Sequence, residues 1–326
     1  MNGILLMVIL SALAVGVVPA QAQTIVKLDA ALDALIAADA KLVIISKDFV
    51  EADGPATEGP VWIKQESSPD GGYFVFTDSR RTQLTRWSPG TGLAQAHDLK
   101  KMLGALDPER SPSSGLAVDP QGRIVFCSSA RHAVVRIEKD GKATILAETY
   151  NGKQLNNPND VTIAANGTIF FTDNSRDETG QMPPTVYRIK DGKLTAVVSG
   201  LTSPNGITLS PDGKVLYVND IRPRKVYRYD VGSDDSVSNG KLFIDMSART
   251  EPGSNDGMRT DEKGNLYDSG PSGVWIISPE GKHLGTITTP DRVSNLSFGG
   301  ADGKTLFMTG RSSVMSIRVK TGVAHP

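Results

Sequence analysis

One cysteine, Cys127, stands in 326 residues. A lone thiol excludes an intramolecular disulfide, a cysteine-built zinc site and a CxxC redox centre. Histidine is nearly as scarce: only His97, His132, His283 and His325 occur, and no two form an HxxxH pair. A histidine-rich metal centre is therefore not expected. Neither sign of charge dominates, because 35 Lys and Arg meet 36 Asp and Glu for a formal net charge of −1. Without a global field for phosphate backbones or anionic lipid, nucleic acid is not an expected partner. Aromatic residues make up only 6% of the chain, which leaves little material for an aromatic face that binds a partner or a carbohydrate. No GxSxG elbow, Walker A loop or GxGxxG is present, so serine-hydrolase and nucleotide-binding readings have no support.

The long apolar run lies at the N-terminus. Ile4 to Val18 is almost entirely apolar and is followed by Pro19-Ala20-Gln21-Ala22. That is a hydrophobic segment of secretory length ending in a small-x-small signal, so residues 1–22 are expected to be a signal peptide cut after Ala22. Met1-Asn2-Gly3 carries no Lys or Arg, and an uncleaved anchor is the alternative, although the run is short for a span. The mature protein is expected in a bacterial periplasm or outside the cell, free of the membrane, where disulfides are permitted but not required.

Glycine (33) and proline (19) are well represented, and many of the glycines recur in phase. A turn glycine precedes a β-rich run ending in small or polar residues six times: Gly72 before YFVFTD, Gly122 before RIVFCS, Gly167 before TIFFTD, Gly213 before KVLYVND, Gly264 before NLYDSG and Gly303 before KTLFMTG. The intervals run from 39 to 51 residues. Each run is followed by another strand-turn-strand signal, such as VRIEKDGKATIL or YRIKDGKLTAVV. Six copies at this period predict an all-β fold, a six-bladed β-propeller of four-stranded blades over residues 42–326. The last copy ends near its turn, so Leu42-Val43-Ile44-Ile45 is expected to supply the missing outer strand and close the ring. Leu28, Leu32, Leu35 and Ile36 have helical spacing, which predicts a short helical segment over residues 23–41.

Counting back eight from the turn glycines of blades two to six lands on Ser114, Asn159, Asn205, Asp256 and Asn295, and the matching place in blade one is Glu58. Equivalent starts of innermost strands converge on one mouth of a propeller's channel. The set is all oxygen-bearing with two carboxylates, the donor type of a hard divalent cation. A wet channel lined by polar side chains would give the same phase, and Pro204-Asn205-Gly206 and Asn255-Asp256-Gly257 are also good turn sequences.

At these residues the chain resembles the SMP-30/gluconolactonase/LRE-like family of six-bladed, metal-dependent lactonases, with wording nearest the gluconolactonase branch. The motifs are TEGPVW (57–62), LNNPNDV (155–161) with IFFTD behind it, SPNGITLSPDG (203–213), NDGMRTDEKGNLY (255–267), GVWIISPEGKHLG (273–285) and SNLSFGG (294–300), in the family's order across nearly the whole mature chain. The resemblance implies that Glu58, Asn159, Asn205 and Asp256 hold one divalent cation. Calcium is expected first, with zinc, manganese or magnesium as alternatives. It also implies that Asp256 is the general base acting on a water, and that the substrate is a small-molecule lactone of a sugar acid. Asn157, Asn159, Ser114 and Asn295 are the expected substrate contacts, and Asp160 is expected to orient a ligand from behind. Asn157 stands where many relatives carry an arginine, the stretch after Cys127 reads Ser128-Ser129-Ala130-Arg131-His132 rather than the family's usual wording, and Ser114 replaces a common asparagine. Arg80, Arg81, Arg131, His132, Arg176, Asp177 and Arg222 follow strand ends as candidates for a substrate rim, while Trp62 and Trp275 are expected to pack between blades. Two other functions are open on the same scaffold: hydrolysis of a phosphotriester or another ester, and non-catalytic ligand binding. A monomer or weak dimer is expected.

Overall fold

Six antiparallel sheets, each of at least four strands, follow one another around a central channel in the computed structural model, which describes residues 24–47, 49, 57–174 and 182–324. The expected signal peptide lies outside the described residues. The innermost strands are Thr57–Lys64, Leu116–Val118, Pro158–Ile163, Pro204–Leu209, Met258–Thr260 and Val293–Gly299, and each touches the next around the ring.

Strand alternation puts apolar side chains on both faces of each sheet, and these meet in six clusters, one at each blade interface. Trp62 stacks on Phe307 where blades one and six meet, and Trp275 joins Tyr217 and Val226 between blades four and five. The ring is closed by Val43–Ser46, which pairs antiparallel with the last strand, Val314–Arg318, through Val43 opposite Ser316 and Ile44 opposite Met315.

The segment expected to be helical divides in two. Ile25–Lys27 is a strand that adds a fifth member to blade five by pairing with His283–Thr288, and only Ala30–Ala34 is helical, as a 3-10 turn. Ile25 and Val26 are β-branched and meet an otherwise unpaired strand edge, which outweighs the helical spacing that follows them. The Asp29 carboxylate accepts from the Ala31 N–H at 2.8 Å and starts the turn, while Leu32, Leu35 and Ile36 go into the core and Leu28 stays exposed.

Candidate active site

Glu58, Asn159, Asn205 and Asn295 lie near the starts of their innermost strands, and Ser114 and Asp256 lie two residues before theirs. All are buried except Asn159, which is half-buried. The register breaks at the same place in four blades: between Glu58 and Val61, Pro158 and Val161, Pro204 and Ile207, and Val293 and Asn295. A bulge re-aims the side chain it carries, and here it disturbs the pairing of each blade where the polar residue sits.

The residue after the axial one is glycine in four blades, because the neighbouring blade passes there. A Cβ on Gly59 would fall 1.9 Å from Ser114 O, on Gly115 2.0 Å from Asp160 Oδ1, on Gly206 2.0 Å from Asp256 O, and on Gly257 2.1 Å from Asn295 Cγ. Gly59 also sits at φ +54°, where an L side chain is strained.

A second set of polar residues, one strand further out, holds this ring in place. Thr172 Oγ1 donates to Asn205 O at 2.6 Å, Asn219 Nδ2 to Asp256 O at 2.5 Å, and Ser269 Oγ accepts from the Asp256 N–H at 2.8 Å. Asn219 Oδ1 also accepts from the Gly206 N–H at 2.9 Å. These residues were not singled out in the sequence, although the polar endings of the β-rich runs carried the signal.

The carboxylates interact strongly. Glu58 is pushed well above the usual carboxylate range, by burial first and then by repulsion from Asp256 and Asp160, against the Gly59 N–H at 3.0 Å and Asn295. Asp256 is pushed up to about 6 by burial, with Asp160 adding to the shift and Arg292 and the Asn205 side chain opposing it. Asp160 is raised by burial against the Arg259 guanidinium, the N–H groups of Val161 (2.9 Å) and Ile207 (3.4 Å), and Asn295. Asn295 thus contacts both Glu58 and Asp160, and Asn205 contacts Asp256. Behind Asp256 lies Asp268, wholly buried and raised by burial, with Asn219 Nδ2 3.2 Å from its Oδ1.

Two arginines absent from the sequence-based site belong to it. Arg259 crosses the channel: it donates to Met258 O at 2.7 Å and Leu116 O at 3.1 Å, and its Nη1 stands 3.6 Å from Asp160 Oδ2. Beyond it, toward the opposite mouth, lies a largely apolar cavity of about 100 Å³ that Val61, Leu116, Val161 and Phe298 help to line. Arg292 donates to Asp256 Oδ2 at 2.9 Å from the loop before blade six. Neither position repeats from blade to blade, so periodicity carried no signal for them.

Asn157 sits behind the ring, 1% exposed, with its N–H donating to Asp173 Oδ1 at 2.5 Å and its side chain bonded to Asn174. Burial pushes Asp173 up to about 6 against the N–H groups of Asn156 and Asn157. Of the rim candidates, Arg81 pairs with Asp78, Arg131 with Glu148, and His132 Nδ1 meets Asn156 O at 2.8 Å; Arg80 and Arg222 are exposed, and Arg176 and Asp177 lie outside the described residues. Among the described residues no three His, Cys, Asp or Glu side chains are arranged to hold a metal, so a cation at this mouth would rest on amide as well as carboxylate oxygens.

Residues 56–312 match the family model described as the SMP-30/gluconolactonase/LRE-like region. The chain belongs to this family. Among SMP-30/gluconolactonase/LRE-like relatives, the gluconolactonase of Zymomonas mobilis is 30% identical over 91% of this chain and 86% of its own. A pentonolactonase of Haloferax volcanii is 28% identical over 77% of this chain and 80% of its own. The solved structure of a Xanthomonas campestris gluconolactonase superposes with a TM-score of 0.73 at 29% identity, covering 91% of this chain and 94% of that one.

Proposed function

We propose that this protein is a metal-dependent lactonase that hydrolyses a sugar lactone of the gluconolactone type to the open hydroxy acid. The observation that carries the reading is the buried Glu58–Asp256 pair, flanked by amide side chains at one mouth of the channel, with both carboxyls raised in pKa by burial first and then by repulsion, of Glu58 by Asp256 and Asp160 and of Asp256 by Asp160. Its relatives of known name include a gluconolactonase and a pentonolactonase.

A divalent cation suits the residues present, because two repelling buried carboxylates and two amide oxygens form a hard donor set. Glu58, Asn159, Asn205 and Asp256 would hold it, and calcium suits such a set best, ahead of magnesium, manganese and zinc. When bound, a cation of this kind polarises a carbonyl oxygen and lowers the pKa of a nearby water. The chain's own groups do the rest. Asp256 takes the proton of the attacking water and returns it to the leaving ring oxygen. Asn295 orients Glu58 and Asp160, and Asp160, held by Arg259, braces the ring from behind. Ser114, Asn159 and Asn295 make up the substrate contacts of this reading; Asn157, expected among them from the sequence, is buried behind the ring and bonded to Asp173 and Asn174, so it supports the mouth instead of lining it. Export to the periplasm or the medium, with cleavage after Ala22 and a monomer or weak dimer as the working form, completes it.

The test is hydrolysis of glucono-1,5-lactone and of other five- and six-membered lactones by the mature protein, after EDTA and after adding back Ca²⁺, Mg²⁺, Mn²⁺ or Zn²⁺. Turnover should vanish with chelator and return with one of these ions, and Asp256→Asn should lower kcat on the order of 10²-fold or more. Metal binding without turnover of any lactone would point to a phosphotriester or another ester. Neither metal nor turnover would leave a polar channel in a binding protein.

A further inference from the structure

The loop between blades five and six places a guanidinium over the candidate base. Arg292 Nη2 stands 2.9 Å from Asp256 Oδ2, with the arginine side chain 46% exposed and the aspartate 9%. The charged head therefore lies on the solvent side of the carboxylate. The backbone beneath it is anchored. Asp291 Oδ2 accepts from Ser312 N at 2.6 Å, Ser312 Oγ at 2.9 Å and Ser313 Oγ at 3.1 Å, and Asp291 O accepts from Thr289 Oγ1 at 2.7 Å. Arg292 O accepts from the Arg311 N–H at 3.3 Å. A guanidinium presents five N–H donors in one plane, and the bond to Asp256 uses one of them.

We infer that Arg292 grips the two acyl oxygens of the ligand: the former carbonyl oxygen, which takes the negative charge in the tetrahedral intermediate, and the oxygen added from water, which shares that charge once the released hydroxy acid ionises; this rests on the lactone reading. The water that Asp256 deprotonates adds its oxygen to the acyl carbon. The bond from that carbon to the ring oxygen then breaks, its electron pair goes to the ring oxygen, and Asp256 delivers the proton there. The new carboxylic acid gives its own proton to solvent. Both acyl oxygens stay close to Asp256 throughout, within reach of a guanidinium bonded to the same carboxylate, and a planar two-oxygen anion matches the guanidinium fork. The site should therefore recognise the acid end of its product more than the chain of hydroxyls.

Binding of gluconate, of a shorter aldonate and of the neutral polyol sorbitol to the cation-loaded full protein tests this by calorimetry, beside lactone kinetics, for wild type, Arg292→Gln and Arg292→Lys. Both aldonates should bind wild type and sorbitol should not. Arg292→Gln should lose about tenfold or more in aldonate affinity and in kcat, with Arg292→Lys between the two. Thermal midpoints report folding, and Arg292→Lys carries the comparison if the glutamine variant does not fold. Aldonate affinity and turnover unchanged in the variants, in an enzyme that does hydrolyse lactones, would overturn the inference alone. A wild type that turns over no lactone would overturn the parent reading, and aldonate binding would still decide the grip.

Discussion

Asp256 is held from several sides: its N–H by Ser269, its carbonyl by Asn219, and its carboxylate by Arg292 and Asn205. Such a side chain loses little freedom when a ligand arrives, which is what the base role proposed for it requires. The same tight fit makes the adjacent glycines irreplaceable. Gly206→Ala would place a methyl 2.0 Å from Asp256 O and 2.8 Å from Asn219 Nδ2. Backbone cannot yield as a side-chain tip can, so a loss of about 1–3 kcal/mol is expected, read as a lower midpoint in denaturant, together with a larger loss of lactone turnover than stability alone explains. Full turnover in a folded Gly206→Ala would show that the Asp256 backbone tolerates displacement.

Single strands and their turns carry the next level. The bulges in four innermost strands are local irregularities at one common position, and in blade four Thr172 and Asn219 hold the bulged segment through Asn205 O and the Gly206 N–H. Blade five has a further feature: His283 stacks on Trp275 with ring centroids 3.7 Å apart, and Arg249 lies 5.7 Å from the same tryptophan ring. Burial pushes His283 from 6.5 down to about 4, with Arg249 adding to the shift and the Gly285 carbonyl opposing it. The unfolded chain therefore binds this proton more readily. The stability contribution is complete above about pH 6.5 and is lost as pH falls toward 4. Thermal midpoints recorded across this range should drop more steeply for wild type than for His283→Gln, and parallel curves would remove His283 from the account.

At the scale of the whole molecule the ring must close before the mouth exists. Val43–Ser46 covers the edge of Val314–Arg318 and does so across the full length of the chain. A chain beginning at residue 47 should lose cooperative unfolding and associate through the bared edge, visible in size-exclusion chromatography as species larger than the intact protein forms. Closure also gathers buried carboxylates whose repulsion a cation would relieve. Adding the cognate ion at about 100 times its Kd should stabilise the fold by about 2.7 kcal/mol, and the shift in thermal midpoint should be lost in Glu58→Gln. Unchanged midpoints with all four ions would argue that the ring holds no metal.

Blade number, strand phase and the axial polar ring were legible in the sequence because each is a local repeat: a turn glycine, a β-rich run and one polar residue at constant offset. The closing strand was legible too, since the last repeat was visibly short. The N-terminal strand was not, because Ile25–Lys27 becomes a strand only when the blade-five edge is present to pair with it. The site's cations were hidden for a similar reason. Arg259 reaches Leu116 O across 143 residues of chain, and Arg292 reaches Asp256 across 36. No periodicity marks such pairs. They exist because closing the ring sets the ends of distant strands side by side around one channel, and only that closure decides which charges face one another.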